Sequence, residues 1–275
     1  MNETGVRNRS DIEAWIVAFV FLGFGIGIVM YGRQSWLPPL ASKHGAGVDA
    51  MLHYLLVATG SMLLVAFTAL SWLVWTGGRR HTVPQLPSHR TEIAFSLISG
   101  LLMAAVAEVG VLAIGLPVWQ QYFGAVPPPN AITIDVTAQQ FLWNVHYPGP
   151  DGAFGRTRVS LVDDASNPIG LDPADAAGKD DVILINRFVA EVDRPVHVRL
   201  HSKDMIHSFF LPHLRVKQDV IPGMTPEITF VPTRTGTFEL ACAELCGLGH
   251  YRMQGLFKVV PAGEFDKALR EEAAQ

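Results

Sequence analysis

Near its C-terminal end the chain carries the segment CAELCGLGHYRM, residues 242–253. The segment contains both cysteines of the sequence, Cys242 and Cys246, followed by His250 and Met253. Thiolate, imidazole and thioether groups are soft ligands, which suit copper or zinc far better than magnesium, calcium or manganese. The segment therefore predicts a metal site, with copper as the first hypothesis.

The second cysteine distinguishes between kinds of copper site. A mononuclear blue-copper site uses one cysteine, two histidines and a weak axial methionine, so it leaves one thiol without a role. Two thiolates can instead bridge two metals, and each metal then needs its own histidine. The best candidate for the missing imidazole is His207, in the apolar stretch DMIHSFFLP, residues 204–212.

Two simpler interpretations compete with a dicopper site. A disulfide, which is common outside the cytoplasm, explains neither the histidines nor Met253. A structural zinc site with two cysteines and two histidines also leaves Met253 idle. A lone methionine in a strand usually belongs to the core, so only its neighbours in the sequence favour a ligand role. We therefore prefer the dicopper hypothesis.

Three segments, residues 140–152, 204–223 and 238–255, together resemble subunit II of the haem-copper cytochrome c oxidases. In that family a His-Ser-Phe motif and a later Cys-x-Glu-x-Cys-x3-His-x2-Met motif build the binuclear copper centre called CuA. Both motifs are present here. The resemblance covers about residues 90–262, while the part of the chain before it matches poorly.

The resemblance implies a role for each donor of the two motifs. It also implies that the Glu244 carboxylate helps to hold a magnesium ion at the contact with the haem-bearing subunit I, because magnesium prefers oxygen ligands. The implied copper ligands are the thiolates of Cys242 and Cys246 as bridges, the imidazoles of His207 and His250, the Met253 thioether, and the backbone carbonyl of Glu244.

Composition and hydropathy indicate a membrane anchor. The chain has 275 residues, of which 49% are hydrophobic and 17% charged, with a formal net charge of −4. No nucleic-acid partner is expected. Long apolar runs within residues 1–126 can each cross about 30 Å of hydrocarbon. They predict three transmembrane helices at about residues 14–32, 50–76 and 93–118, with Glu108 as the one acidic or basic (Lys/Arg) residue inside them.

Flanking charges predict the orientation of these helices, because basic residues favour the cytoplasmic side. They are denser before the first helix and between the second and third than between the first and second. The copper domain should then lie on the periplasmic face of a bacterial-type plasma membrane. The residues concerned are Arg7, Arg9, Arg79, Arg80 and Arg90 on the cytoplasmic side, and Arg33 and Lys43 on the other.

The first apolar segment has a second interpretation as a cleaved secretory signal. Asp11 and Glu13 dilute its positive region, and no clear small-x-small cleavage site follows. We therefore expect a retained helix. Members of the resembled family typically have two helices, and cleavage would restore that plan. Either outcome leaves the copper domain outside.

Residues 127–275 are predicted to form an all-β outer domain after the helix-breaking run Pro127-Pro128-Pro129. Short alternating segments separated by turn residues indicate a sandwich or barrel, and the resemblance implies a cupredoxin-type β-barrel. The polar stretch 163–181 is predicted to be an inserted surface loop. The expected strands are 132–136, 182–185, 196–200, 228–231, 237–241 and 256–260.

The chain has no Cys-x-x-Cys-His motif for a c-type haem, so haem is expected only in a partner. The resemblance implies an electron-accepting subunit of a respiratory oxidase. Electrons would pass from cytochrome c through CuA to haem in subunit I, where oxygen is reduced to water. The alternatives are a quinol-oxidase-like structural subunit without copper and a subunit of a copper-containing nitric-oxide reductase.

The residues that receive electrons are less well defined. Where the resembled family has a Gln-Trp-Tyr-Trp-like segment, this chain has Phe141 at the usual tryptophan position and keeps Trp143. Both are candidates for electron input, although an isolated tryptophan is more often a packing residue. Acids outnumber bases in residues 151–193, which favours a basic donor. Glu92, by resemblance, is a candidate for the mouth of a proton path, or else a carboxylate favoured at a helix start.

Overall fold

The computed structural model describes residues 3–77, 88–124 and 126–274. They form two compact units, one within residues 1–37 and 49–116, the other within residues 38–48 and 117–275. The predicted cytoplasmic residues Arg79 and Arg80 lie outside the described part of the chain.

The first unit contains three helices that are long and apolar enough to cross a membrane. They extend beyond the predicted apolar cores because backbone hydrogen bonding continues into polar flanking residues. Ser88, for example, caps the third helix by accepting a hydrogen bond from the Thr91 amide, at 3.4 Å. The elements are α1 (Glu3–Ala18), a π-helical turn (Phe19–Gly23) and α2 (Phe24–Ser35); α3 (Gly45–Gly77); then α4 (His89–Gly110), a π-helical turn (Val111–Gly115) and α5 (Leu116–Phe123).

Aromatic side chains join the helices of the first unit. The rings of Phe21 and Phe67 stack with centroids 4.2 Å apart. The Tyr54 hydroxyl donates to the Val106 carbonyl, and its ring lies against Gly110, where an added Cβ would come within 1.8 Å of the ring. Gly110 therefore permits the close approach of α3 to α4.

The second unit is built on two five-stranded sheets, in the orders β3-β2-β1-β5-β8 and β4-β10-β9-β6-β7. In β1 the apolar side chains are buried and alternate with half-exposed polar ones, as expected for a strand with one face in a core. Apolar helices followed by this β-domain confirm the predicted fold class. The strands are β1 (Ile132–Gln139), β2 (Leu142–Tyr147), β3 (Val182–Ile185), β4 (Arg187–Glu191), β5 (Val196–Ser202), β6 (His207–Leu211), β7 (Val216–Val220), β8 (Glu227–Phe230), β9 (Gly236–Cys242) and β10 (Gln254–Val260), followed by the helix α6 (Phe265–Ala273).

The linker between α2 and α3 is an integral part of the β-domain. The Ala41 amide donates to the His213 carbonyl at 2.8 Å, and the Ala41 carbonyl accepts from the Thr233 amide at 2.9 Å. The Lys43 amide donates to the Val231 carbonyl at 3.0 Å. Residues 38–48 are thus bonded to the β-domain, a role that the sequence pattern did not predict.

The stretch 163–181 belongs to an ordered connection between β2 and β3. His146 Nε2 lies 2.6 Å from an Asp181 carboxylate oxygen, and both side chains are almost completely buried. The same carboxylate accepts hydrogen bonds from the amides of Gly149 and Gly155. Because His146 lies on β2 and Asp181 directly precedes β3, this buried pair joins the two ends of the connection within the β-domain.

Tyr147 supplies a buried hydrogen-bonding group between the two sheets. Its hydroxyl accepts from the Val189 amide at 2.7 Å and donates to the Val189 carbonyl at 2.9 Å. Burial raises the pKa of the Tyr147 hydroxyl well above its usual value, so it remains neutral.

Tyr147→Phe should therefore destabilise the β-domain by about 1–3 kcal/mol, because it leaves two buried backbone groups unpaired. Thermal unfolding of the detergent-solubilised chain, followed by circular dichroism, measures the loss.

Tyr251→Phe is the matched control, since this tyrosine is largely exposed. The midpoint temperature of its thermal unfolding should differ little from that of the unsubstituted protein. Equal midpoints for both variants would contradict a structural role for the Tyr147 hydroxyl.

Candidate metal centre

The residues of the predicted metal site lie at the ends of three adjacent strands. His207 begins β6 and Cys242 ends β9, and these strands pair antiparallel with Phe209 opposite Cys242. β9 also pairs with β10, which begins directly after Met253. The loop 243–253 is therefore held at both ends by hydrogen-bonded strands.

Three side-chain donors converge around the two cysteines, which are free thiols. Their Sγ atoms are 3.8 Å apart. Cys242 Sγ lies 4.0 Å from His207 Nδ1, and Cys246 Sγ lies 3.6 Å from His250 Nδ1. Met253 Sδ is 3.7 Å from Cys246 Sγ. Each sulfur thus has its own imidazole, and the thioether stands beside only one of them.

Glu244 contributes its backbone rather than its side chain to this cluster. Its carbonyl oxygen lies 3.2 Å from Cys242 Sγ, while its side chain belongs to an exposed residue. The two cysteines therefore have matching surroundings, with one imidazole and one weaker donor each. The carboxylate is left available for another contact.

Burial separates the donor cluster from water. His207 and Cys246 are fully buried, Met253 is 1% exposed and Cys242 is 8% exposed. His250 is half-buried and is the imidazole nearer the surface. A set of buried nitrogen and sulfur donors with one carbonyl oxygen fits a soft metal such as copper, and a zinc site would give the buried thioether no role.

The two thiols have very different acidities in the metal-free protein. Burial by itself raises the pKa of Cys242, but His207 and the backbone at Glu244 stabilise its thiolate and lower the pKa to about 6. Burial and the neighbouring negative charge raise the pKa of Cys246 to about 12. A second thiolate therefore needs a compensating positive charge, which a bound metal supplies.

Two residues that were not among the predicted site residues contact the cluster: Asp204 contacts His207, and Gln140 contacts the loop that contains Cys246. Asp204 Oδ1 lies 2.8 Å from His207 Nε2, the ring nitrogen that faces away from the cysteines. The Gln140 side chain donates to the Cys246 carbonyl at 2.8 Å. Asp204 stands three residues before His207, and this spacing is the sequence signal that was available for it.

The two candidates for electron input occupy different environments. Trp143 is completely buried, with its ring centroid 6.3 Å from that of His207. Phe141 is half-buried, and its ring covers Gly249, where an added Cβ would lie 2.3 Å from a ring carbon. Of the two, only Phe141 is positioned at the surface, directly over the loop that contains His250.

Glu92 and two acids of the stretch 151–193 have different surroundings. Glu92 lies in the first turn of α4 with its side chain 52% exposed, 3.9 Å from His89. Asp163 accepts hydrogen bonds from Ser166 within its own turn, and Asp164 pairs with Lys203 at 2.9 Å. The exposed acids of the inserted connection are therefore partly engaged by local partners.

Comparison with known proteins gives concordant results. Residues 132–260 match the family model "Cytochrome C oxidase subunit II, periplasmic domain". The "Alternative cytochrome c oxidase subunit 2" of Bradyrhizobium diazoefficiens is 32% identical over 256 residues, covering 91% of this chain and 88% of that protein. The cytochrome c oxidase subunit 2 of Cereibacter sphaeroides is 28% identical, covering 81% of this chain and 75% of its own.

A solved structure is also similar. The periplasmic domain of subunit II of cytochrome oxidase (CoxB) of Bradyrhizobium japonicum shares 29% identity over 54% of this chain and 96% of that one, with a TM-score of 0.39. On the family match and the Bradyrhizobium relative, the chain belongs to the cytochrome c oxidase subunit II family. It is a membrane protein with a periplasmic domain, and its family implies a haem-containing oxidase complex as partner.

The acidities of the two thiols can be measured in the metal-free chain. Iodoacetamide reacts with thiolates, so at pH 8 it should modify Cys242 well before Cys246. The rate at Cys242 should rise as the pH passes about 6, the pKa of this thiol. Fragmentation mass spectrometry of the peptide that contains both cysteines reports the site. Equal labelling of the two cysteines at pH 8 would contradict the asymmetry.

Proposed function

We propose that this chain is the electron-accepting subunit of a cytochrome c oxidase and holds a binuclear CuA centre. The observation that carries the proposal is the matched surroundings of two buried sulfurs 3.8 Å apart. A mononuclear copper site would leave one of them unused. The proposed ligands are the side chains of His207, Cys242, Cys246, His250 and Met253, and the backbone carbonyl of Glu244.

When bound, the copper pair supplies a one-electron carrier whose unpaired electron is spread over both metals. The protein contributes a rigid, dry frame for this carrier. β6, β9 and β10 fix the positions of the donors, and burial of His207, Cys246 and Met253 excludes water from them. Little rearrangement of the ligands is then needed when the charge of the centre changes, which favours fast transfer.

Electrons are proposed to arrive at Phe141 from cytochrome c or a similar small basic protein. Its half-exposed ring lies directly against the proposed copper-binding loop, residues 243–253, which supports this role. Trp143 is buried, so it can act only behind another residue. The complete donor set disfavours a quinol-oxidase-like subunit without copper.

Electrons are proposed to leave toward haem in subunit I, where oxygen is reduced to water. His250, the less buried imidazole, is the proposed starting point. The exposed Glu244 side chain is free to help bind magnesium at the contact with that subunit, and Glu92 is proposed to lie at a proton path into it. These three roles rest on the family resemblance and on the exposure of the side chains.

For the membrane part we propose three retained helices, with the N-terminus in the cytoplasm of a bacterial-type plasma membrane. The linker supports this topology, because residues 38–48 are hydrogen-bonded to the periplasmic β-domain. The boundary between anchor and outer domain is proposed at residues 126 and 127, with the linker as a further part of the outer domain.

The copper centre can be tested with the full chain purified in detergent, away from the metals of subunit I. It should bind two coppers, and electron paramagnetic resonance should show one electron shared over two copper nuclei. A four-line signal from a single copper, or zinc alone in metal analysis, would contradict the proposal.

Two variants separate the proposed roles of the ligands. Cys242→Ser should lose the binuclear signal, because a neutral hydroxyl is a much poorer ligand for copper than a thiolate. Met253→Leu should retain both coppers and shift the reduction potential, because a thioether would be the weakest of the side-chain ligands. Copper analysis and redox titration measure the difference. Complete copper loss in both variants would be inconsistent with these roles.

The proposed electron-input residue can be tested by stopped-flow reduction. Phe141→Ala should slow electron injection from cytochrome c about tenfold, while the copper spectrum and the salt dependence of binding stay nearly unchanged. Contact at the centre of an interface sets close approach, whereas charges at its rim mainly govern encounter.

Two controls accompany this variant. Val159→Ala removes an exposed apolar side chain of the inserted connection and should leave injection unchanged. Neutralising Asp163 and Asp164 should lower the association rate at low salt without changing transfer inside the complex. An unaltered rate of electron injection in Phe141→Ala would mean that electrons enter the chain at another residue.

A further inference from the structure

Asp204 lies in the turn between β5 and β6, and both of its carboxylate oxygens are occupied. Oδ1 lies 2.8 Å from His207 Nε2 and accepts from the Met205 amide at 2.7 Å. Oδ2 accepts from the Gln140 amide at 2.7 Å. One partly exposed carboxylate thus connects the chain beside Phe141 to a proposed copper ligand.

The contact with His207 sets which ring nitrogen faces the cysteines. Both oxygens of the Asp204 carboxylate accept hydrogen bonds from backbone amides, and a carboxylate oxygen can only accept. Nε2 is therefore protonated. Nδ1 is the nitrogen that faces Cys242 Sγ; it donates to the thiolate in the metal-free chain and is the nitrogen left to bind a metal once its proton is released.

The contact with Gln140 fixes the neighbouring aromatic residue. The Gln140 side chain donates to the Cys246 carbonyl, and the Phe141 ring lies on Gly249. The Gln140–Phe141 segment is therefore held on one side by Asp204 and on the other by the proposed copper-binding loop, residues 243–253. A shift of Asp204 would displace both the imidazole and the segment.

From these contacts we propose that Asp204 is a positioning residue that orients His207 and at the same time holds the Gln140–Phe141 segment against the copper-binding loop. The proposal rests on the proposed copper centre for its effect on electron transfer. Its structural part, the two sets of hydrogen bonds, applies to the metal-free chain as well.

The first test uses the metal-free full chain. Asp204→Asn keeps the shape of the side chain but offers one acceptor oxygen to three donors, the amides of Gln140 and Met205 and the ring N–H of His207. Hydrogen–deuterium exchange at peptides that contain Gln140 should become about tenfold faster, the effect of one lost hydrogen bond. Unchanged exchange there would overturn the proposal, whether or not the chain binds copper.

The second test uses the copper-loaded full chain. Asp204→Asn should change the copper hyperfine pattern and slow first-order electron injection about tenfold at saturating cytochrome c. Loss of the negative charge should also favour the reduced centre about tenfold, equivalent to about 59 mV for one electron. Asp163→Asn removes an exposed carboxylate whose hydrogen bonds lie within its own turn, and it should leave the spectrum and the potential unchanged.

Asp204→Glu separates position from charge. It keeps the negative charge but adds one methylene, so the potential should stay close to that of the unsubstituted chain while injection remains slow. Full recovery of injection in Asp204→Glu would show that charge alone matters and would overturn the positioning role. Absence of a binuclear signal in the unsubstituted chain would instead contradict the proposed function, and the exchange test would still decide the role of Asp204.

Discussion

The antiparallel pairing of β9 with both β6 and β10 is the constraint on which the candidate metal centre depends. The pairing with β6 brings Cys242 next to a strand that begins with His207, although 35 residues separate the two in the chain. The pairing with β10 returns the chain at Met253 to the level of Cys242, whose amide donates to the Met253 carbonyl at 3.1 Å. All other donors lie on the short loop between these two points.

Electrostatics adds a second constraint to this geometry. A buried pair of sulfurs 3.8 Å apart favours one negative charge and opposes a second, as the opposite pKa shifts of Cys242 and Cys246 show. Two thiolates this close would repel each other. In the absence of a metal, one of the two thiols therefore keeps its proton. A cation between the sulfurs removes this repulsion, so metal affinity and the stability of the loop are linked.

Much of the fold and most of the proposed ligand set could be predicted from sequence, because they depend on local patterns. Long uncharged runs predicted the helices, and alternating apolar residues predicted six of the strands. The other four, β2, β4, β6 and β7, were missed. In β2 and β6 both faces are largely buried, so polarity does not alternate. At Asn186, a left-handed backbone conformation (φ 56°) separates β3 from β4, which belong to different sheets.

The remaining features depend on tertiary contacts that leave no periodic signal. Residues 38–48 join the β-domain through backbone hydrogen bonds, which are indifferent to side-chain type, so their sequence resembles an ordinary linker. Trp143 lies on β2, between β1 and β3, and it points into the core against Phe209. A tryptophan in that position stabilises the barrel under the copper-binding loop, whereas the surface position above the loop belongs to Phe141. The sequence left packing and electron input as alternatives for Trp143; in this structure Trp143 packs in the core, and Phe141 is the residue proposed for electron input.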